Sequence, residues 1–221
     1  MDMRVFSAFV LAVVVTGCAG SPDSAQRPPA RNTGASISQT PQVRACLANL
    51  GAAKVNFTPL EDRFFGAGCA TLGTVKLGWL AGDAGRLDVT NLGPVSCPLA
   101  NAMQNWARFG VDRAARQILG SPLARIETMG SYSCRNVAGT GRLSAHATAN
   151  AVDIAAFRLA DGRRISVLND WNSSSPQVRA FLRTIRDSAC KRFGTVLSPE
   201  YNAAHRDHLH LETSAMRPLC R

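Results

Sequence analysis

"AVDIAAFRLADGRRISV", residues 151–167, is the stretch whose reading decides the fold. Two β-rich runs flank Asp161-Gly162, a dipeptide that favours the tight turn of a hairpin, so antiparallel strands are expected here. The next segment, "SPQVRAFLRTIRDSACKRFG" (175–194), reads as a helix. Ser175 suits the N-cap, Pro176 the first turn and Gly194 the C-terminal stop, while Val178, Phe181, Leu182, Ile185 and Ala189 form one apolar stripe. Upstream, Val43, Cys46, Leu47 and Leu50 mark a short amphipathic helix stopped by Gly51. Leu99, Met103 and Trp106 mark a second, and "VDRAARQILG" (111–120) a third ending at Gly120. "LGWLAGDAGRLDVTNLGP" (77–94) is punctuated by glycine and reads as short strands and turns, and "LARIETMGSYSCR" (123–135) as a strand. The closing "HLHLET" (208–213) alternates, with Leu209 and Leu211 on one face and His208, His210 and Glu212 on the other. No internal repeat is present. Helices mixed with hairpin-linked strands predict one α+β domain over residues 41–221, with a largely antiparallel sheet and flanking helices.

The N-terminus addresses the chain. Arg4 precedes an apolar run, Val5–Val15, that is short for a membrane span and reads as a secretory signal. Val15-Thr16-Gly17-Cys18 resembles the bacterial lipobox, and that resemblance implies a signal peptide over 1–17 and lipidation of Cys18. An ordinary signal peptide cut nearby is the alternative. Cys18 is followed by Ala19 rather than Asp, which favours the periplasmic face of the outer membrane over the inner one. Residues 18–40 are rich in Ala, Ser and Pro and read as a tether. Six further cysteines remain: Cys46, Cys69, Cys97, Cys134, Cys190 and Cys220. An even number in an exported chain predicts three disulfides, and their spacings are unlike those of a cysteine zinc cage. Cys190 and Cys220 bracket the histidine-rich segment, so one bridge is expected to tie the last helix to the tail.

The formal net charge is +10. It suits an acidic partner such as an anionic wall polymer or lipid. The basic residues are scattered, with no aromatic-studded basic stripe, and an exported chain seldom meets nucleic acid, so no nucleic-acid partner is expected.

Three of the four histidines lie within "HRDHLHLE" (205–212), and the fourth, His146, stands seven residues before Asp153. Between these last two the chain is small and mostly alanine. A catalytic zinc takes three protein ligands and keeps a position open for water. His146, Asp153 and one histidine of the "HLH" strand supply two imidazoles and a carboxylate. Their alternative is a polar strand face without metal.

"SAHATANAVD" resembles the Ser-x-His-x6-Asp motif of the zinc peptidases that include D-alanyl-D-alanine carboxypeptidases and murein endopeptidases, and "HLH" matches their terminal His-x-His. The spacing of His205, His208 and His210 is similar to that of the penicillin-insensitive murein endopeptidase. Across residues 42–221 the arrangement most closely resembles the bacterial extensin-like C-terminal domain family, through "SYSCR", "GRLSAHATANAVDIAAF", "DGRRISV", the "AC.RF.TVL.P.YN" pattern and "H.DH.HLE". The resemblance implies a Hedgehog/DD-peptidase-like fold and a Zn²⁺ cofactor held by His146, Asp153 and His210. It also implies proton transfer by His208 or Asp207, and Arg135 on an oxyanion or a substrate carboxylate. His205 then lines the cleft, while Ser144 and Tyr132 support ligands or substrate. Asp207 stands where the carboxypeptidases carry Glu, and strict alternation aims it away from the metal unless the chain turns before His208. Ala149 stands where the superfamily often has glycine.

The resulting expectation is a zinc-dependent peptidase of peptidoglycan, a lipoprotein of the cell envelope cutting stem peptides or cross-links. The rival expectation is a non-catalytic peptidoglycan-binding lipoprotein that keeps the metallopeptidase fold.

Overall fold

The computed structural model describes residues 36–213 and 218–221. The signal peptide, Cys18 and most of the expected tether lie outside the described residues. In chain order the elements are α1 (Pro41–Ala52), β1 (Asn56–Pro59), β2 (Arg63–Gly66), β3 (Cys69–Thr71), β4 (Thr74–Ala81), β5 (Arg86–Thr90), β6 (Val95–Ser96), α2 (Cys97–Trp106), α3 (Arg113–Leu119), β7 (Leu123–Gly130), β8 (Ala151–Leu159), β9 (Arg164–Ser166), α4 (Val167–Asp170), α5 (Pro176–Cys190), β10 (Thr195–Leu197), β11 (Leu209–Glu212) and β12 (Leu219–Cys220). The class is α+β.

One large sheet runs in the order β1-β4-β5-β7-β8-β11-β10-β12, with β6 also on β4 and β9 also on β8. Its pairings are antiparallel except β5 with β7 and β10 with β12. β2 and β3 form a separate small hairpin. Asp161-Gly162 makes the β8–β9 turn, with Gly162 at φ 90°, a conformation glycine adopts without a Cβ clash.

The helices bury their apolar stripes as patterned. Thr40 caps α1 and Ser175 caps α5, each side chain accepting a backbone N–H from the first turn. Leu99, Met103 and Trp106 of α2 are fully buried. The Trp106 indole N–H donates to the Ile185 carbonyl of α5 at 2.9 Å, and its ring meets Phe157 of β8 and Phe193 edge-on. Phe157 in turn meets Phe181 of α5. This aromatic cluster joins the α2–α5 layer to the central strand β8. Residues 107–112 between α2 and α3 are π-helical. There a Cβ on Gly110 would stand 2.3 Å from Ser188 Oγ and 3.0 Å from the Trp106 ring, so α5 packs close against this glycine.

Four boundaries depart from the sequence reading. α1 runs through Gly51 to Ala52. α5 ends at Cys190, before Gly194, because Gly194 N–H instead donates to the Glu212 carbonyl. β7 stops at Gly130, whose φ of 113° breaks the strand, so Tyr132–Arg135 is a loop. His208 precedes β11 rather than lying within it.

Three disulfides join Cys46 to Cys97, Cys69 to Cys134 and Cys190 to Cys220. The last ties α5 to β12, as expected. Among the described residues no helix is long and apolar enough to cross a membrane. Replacing Cys190 and Cys220 together by serine is expected to lower unfolding free energy by about 2–5 kcal/mol, because the open chain regains loop entropy. Denaturant titration of both forms checks this.

Candidate metal centre

β8 and β11 pair antiparallel with Asp153 directly opposite His210. Ile154, Val152, Leu209 and Leu211 are all fully buried, whereas Asp153 and His210 are only partly buried. Strand alternation therefore puts the two polar side chains together on the face away from those apolar neighbours. His146 arrives from a short 3₁₀ turn, Ala145–Thr148, opened by Ser144, whose hydroxyl accepts the His146 N–H. The turn is closed by Ala149 at φ 56°, which explains why glycine suits that position.

The three side chains converge. His146 Nε2 lies 3.2 Å from Asp153 Oδ2 and 3.2 Å from His210 Nδ1, and His210 Nδ1 lies 2.9 Å from Asp153 Oδ1. Tetrahedral zinc with bonds of ~2.0–2.2 Å needs ligand atoms roughly 3.3–3.6 Å apart; the three contacts are slightly shorter, and the two histidines meet different oxygens of Asp153. The outer contacts also suit a metal. His146 Nδ1 sits 2.7 Å from the Ser131 carbonyl, which makes that nitrogen the N–H donor and leaves the Nε2 lone pair facing inward. His210 Nε2 faces Glu212 Oε2 at 3.5 Å, which leaves Nδ1 as the inward atom. Burial opposes ionisation of Asp153, yet the adjacent His146 and His210 side chains hold its carboxyl well below the usual carboxylate range. Burial likewise opposes protonation of His210, but Asp153 and Glu212 outweigh it and raise its pKa. The donor set fits a borderline divalent ion such as Zn²⁺, and the residues expected as its ligands are those brought together.

His208 stands beside this group. Its Nε2 is 3.5 Å from Asp153 Oδ1, and its Nδ1 is 2.8 Å from Asp207 Oδ1. The chain does turn at Arg206–Asp207, but the turn points the Asp207 carboxylate at His208. His205 packs its ring 5.2 Å from His208 and 5.9 Å from His210, with Nδ1 2.7 Å from Asn202 Oδ1. Burial, then the charges of His208 and His210, push its pKa down to about 4.

Arg135 is exposed, and its guanidinium makes no hydrogen bond or ion pair with the described residues. Its carbonyl accepts the Ser144 N–H, so its backbone braces the His146 turn. Tyr132 lies between Ser131 and Ser133, and Ser133 N–H donates to the His146 carbonyl at 3.1 Å. The sequence gives no sign of the Ser131 carbonyl, because a backbone atom leaves no residue signature. Glu212 is legible only as a residue sharing the ligand face.

The site is thus a half-buried His-Asp-His group with a His–Asp pair beside it, on an α+β domain. The model of the extensin-like protein C-terminus family matches residues 44–221, and the chain belongs to that family. No curated protein and no solved structure matches it.

Ala149→Gly is expected to leave stability unchanged or raise it by up to about 1 kcal/mol, since the left-handed backbone no longer carries a Cβ. Ala149→Val is expected to destabilise by more than that, because a β-branched residue resists positive φ. Thermal unfolding of the two variants checks the contrast.

Proposed function

We propose that this protein is a zinc-dependent peptidase of peptidoglycan. The observation that carries the reading is the convergence of His146 Nε2, Asp153 and His210 Nδ1 beside the oriented His208–Asp207 pair. A Zn²⁺ held by those three residues would polarise a peptide carbonyl and lower the pKa of a bound water. The protein's own groups divide the remaining work. Asp207 accepts the Nδ1–H of His208, which fixes the tautomer and presents Nε2 as a proton acceptor toward the triad. His208 Nε2 takes a proton from the attacking water and returns it to the departing amine. Asp207 then acts through His208 rather than as the base itself. The exposed Arg135 guanidinium is available to a substrate carboxylate or a developing oxyanion. His205 forms a wall beside His208.

Lipidation at Cys18, with attachment to the periplasmic face of the outer membrane, would place the domain against the wall, and the +10 charge suits an anionic polymer. The superfamily resemblance of "SAHATANAVD" and "HLH" supports the same substrate class.

Purified murein sacculi incubated with the zinc-loaded protein are expected to release new muropeptides, and a chelator is expected to stop the release. His208→Ala is expected to lower turnover by ~10²–10⁴-fold, the usual contribution of a positioned acid–base group. Asp207→Asn is expected to lower it less, with bound zinc unchanged. The same products with and without chelator would contradict the peptidase reading. Sacculus binding without cleavage, unaltered by His208→Ala, would favour a non-catalytic wall-binding protein.

A further inference from the structure

The β2–β3 hairpin presents apolar side chains to solvent. All of β2, Arg63–Gly66, is exposed, and Phe64 is 79% accessible. Phe65, Leu72 and Ile37 are exposed as well. The Ser36 carbonyl accepts the Asp62 N–H at 3.0 Å, which brings Ile37 to the base of the hairpin. Leu72 reaches the same base, because Thr71 pairs with Arg63 and the Gly73 N–H donates to Asp62 Oδ1 at 2.7 Å. Single exposed apolar side chains are ordinary, whereas a cluster marks a surface that meets an apolar partner. Of the nine large apolar side chains exposed among the described residues, four gather here from three separate stretches of chain.

The cluster rests on a fixed support. The Cys69–Cys134 disulfide ties the hairpin to the loop that carries Tyr132, and Phe65 packs on the Tyr132 ring with centroids 5.3 Å apart. Phe64 is left projecting. No surplus of positive charge surrounds it: Arg63 Nη2 lies 3.7 Å from Glu61 Oε2, and the Asp62 carboxylate is turned to the Gly73 N–H. What the hairpin offers a partner is therefore apolar area rather than charge.

The occupant follows from where the chain leaves the domain. Ser36 begins the described residues, and residues 19–35 lead from it to Cys18. Fully extended, a stretch of that length spans at most about 60 Å. A lipid on Cys18 thus keeps the domain within that distance of a bilayer, and the chain departs beside the exposed aromatic rings. Tethering raises the local concentration of the two surfaces, so a contact too weak to hold the domain alone becomes occupied.

We propose that the β2–β3 hairpin is a membrane-contact element, with Phe64 entering the headgroup–acyl boundary of the bilayer that holds the Cys18 lipid and Phe65, Leu72 and Ile37 lying along it. The inference takes the lipid anchor from the reading above and is independent of the peptidase chemistry. Because the contact is apolar, it forms on zwitterionic lipid.

The test uses the full mature protein, lipidated at Cys18, in phosphatidylcholine vesicles with brominated acyl chains. Phe64→Trp places a fluorescent reporter on the hairpin, and Leu168→Trp places one at an exposed apolar position on α4. Bromine is expected to quench Phe64→Trp about twofold more than the native protein, since an interfacial side chain sits ~5–10 Å into the headgroup–acyl boundary, and Leu168→Trp no more than the native protein. Equal quenching of the two variants, or none in either, would overturn the proposal. A dimer in sedimentation that Phe64→Ser dissolves, without quenching, would assign the patch to a second copy of the chain instead. A mature protein whose mass lacks acyl chains removes the anchor and this inference with it, while muropeptide release is decided separately. Quenching without muropeptide release leaves the inference standing and removes the peptidase reading alone.

Discussion

The Asp153–His210 pairing across β8 and β11 is the constraint on which the site depends. Strand side chains alternate with period two, so a slip of β11 by one residue would turn His210 to the apolar face and take it from Asp153. Val152, Ile154, Leu209 and Leu211, all fully buried, resist that slip. The apolar faces of two strands thereby set the spacing of the Asp153 and His210 side chains. The Trp106–Phe157–Phe181 cluster then anchors β8 to the helical layer, well away from the polar face.

His146 is placed by different means. No strand holds it. Its turn is hydrogen-bonded to both sides of Tyr132, through Ser131 and Ser133, and braced by the carbonyl of Arg135. The Cys69–Cys134 bridge adds a covalent tie between that loop and the β2–β3 hairpin. A loop of this kind lacks the cooperative support of a sheet, and a cross-link offsets part of the entropy of ordering it.

Legibility followed the range of the interaction. The Asp161-Gly162 hairpin, the Ser175 and Pro176 helix start and the buried stripes of α2 and α5 rest on local chemistry, and the structure has them. The end of α5 was misplaced because Gly194 answers to Glu212, a partner distant in sequence. "SYSCR" looked like a strand because its composition hides the break that Gly130 makes at positive φ. The parallel pairing of β5 with β7, and two of the three disulfides, depend on contacts that no local pattern encodes. At the site, His146 and Asp153 stand out against a small, mostly alanine stretch, and His210 stands out because three of the four histidines cluster around it. The Ser131 carbonyl does not, since a backbone atom leaves no mark in the residue pattern.

The proposed function requires one ion held by His146, Asp153 and His210. The most direct measurement is zinc stoichiometry and affinity by metal analysis and competitive chelator titration, on the native protein and on Asp153→Ala and His210→Ala. The account predicts one tightly held zinc per chain, with affinity lowered by orders of magnitude in either variant while the folded state persists. A native protein that holds no zinc against a weak chelator, or one whose zinc is unaffected by both substitutions, would contradict it.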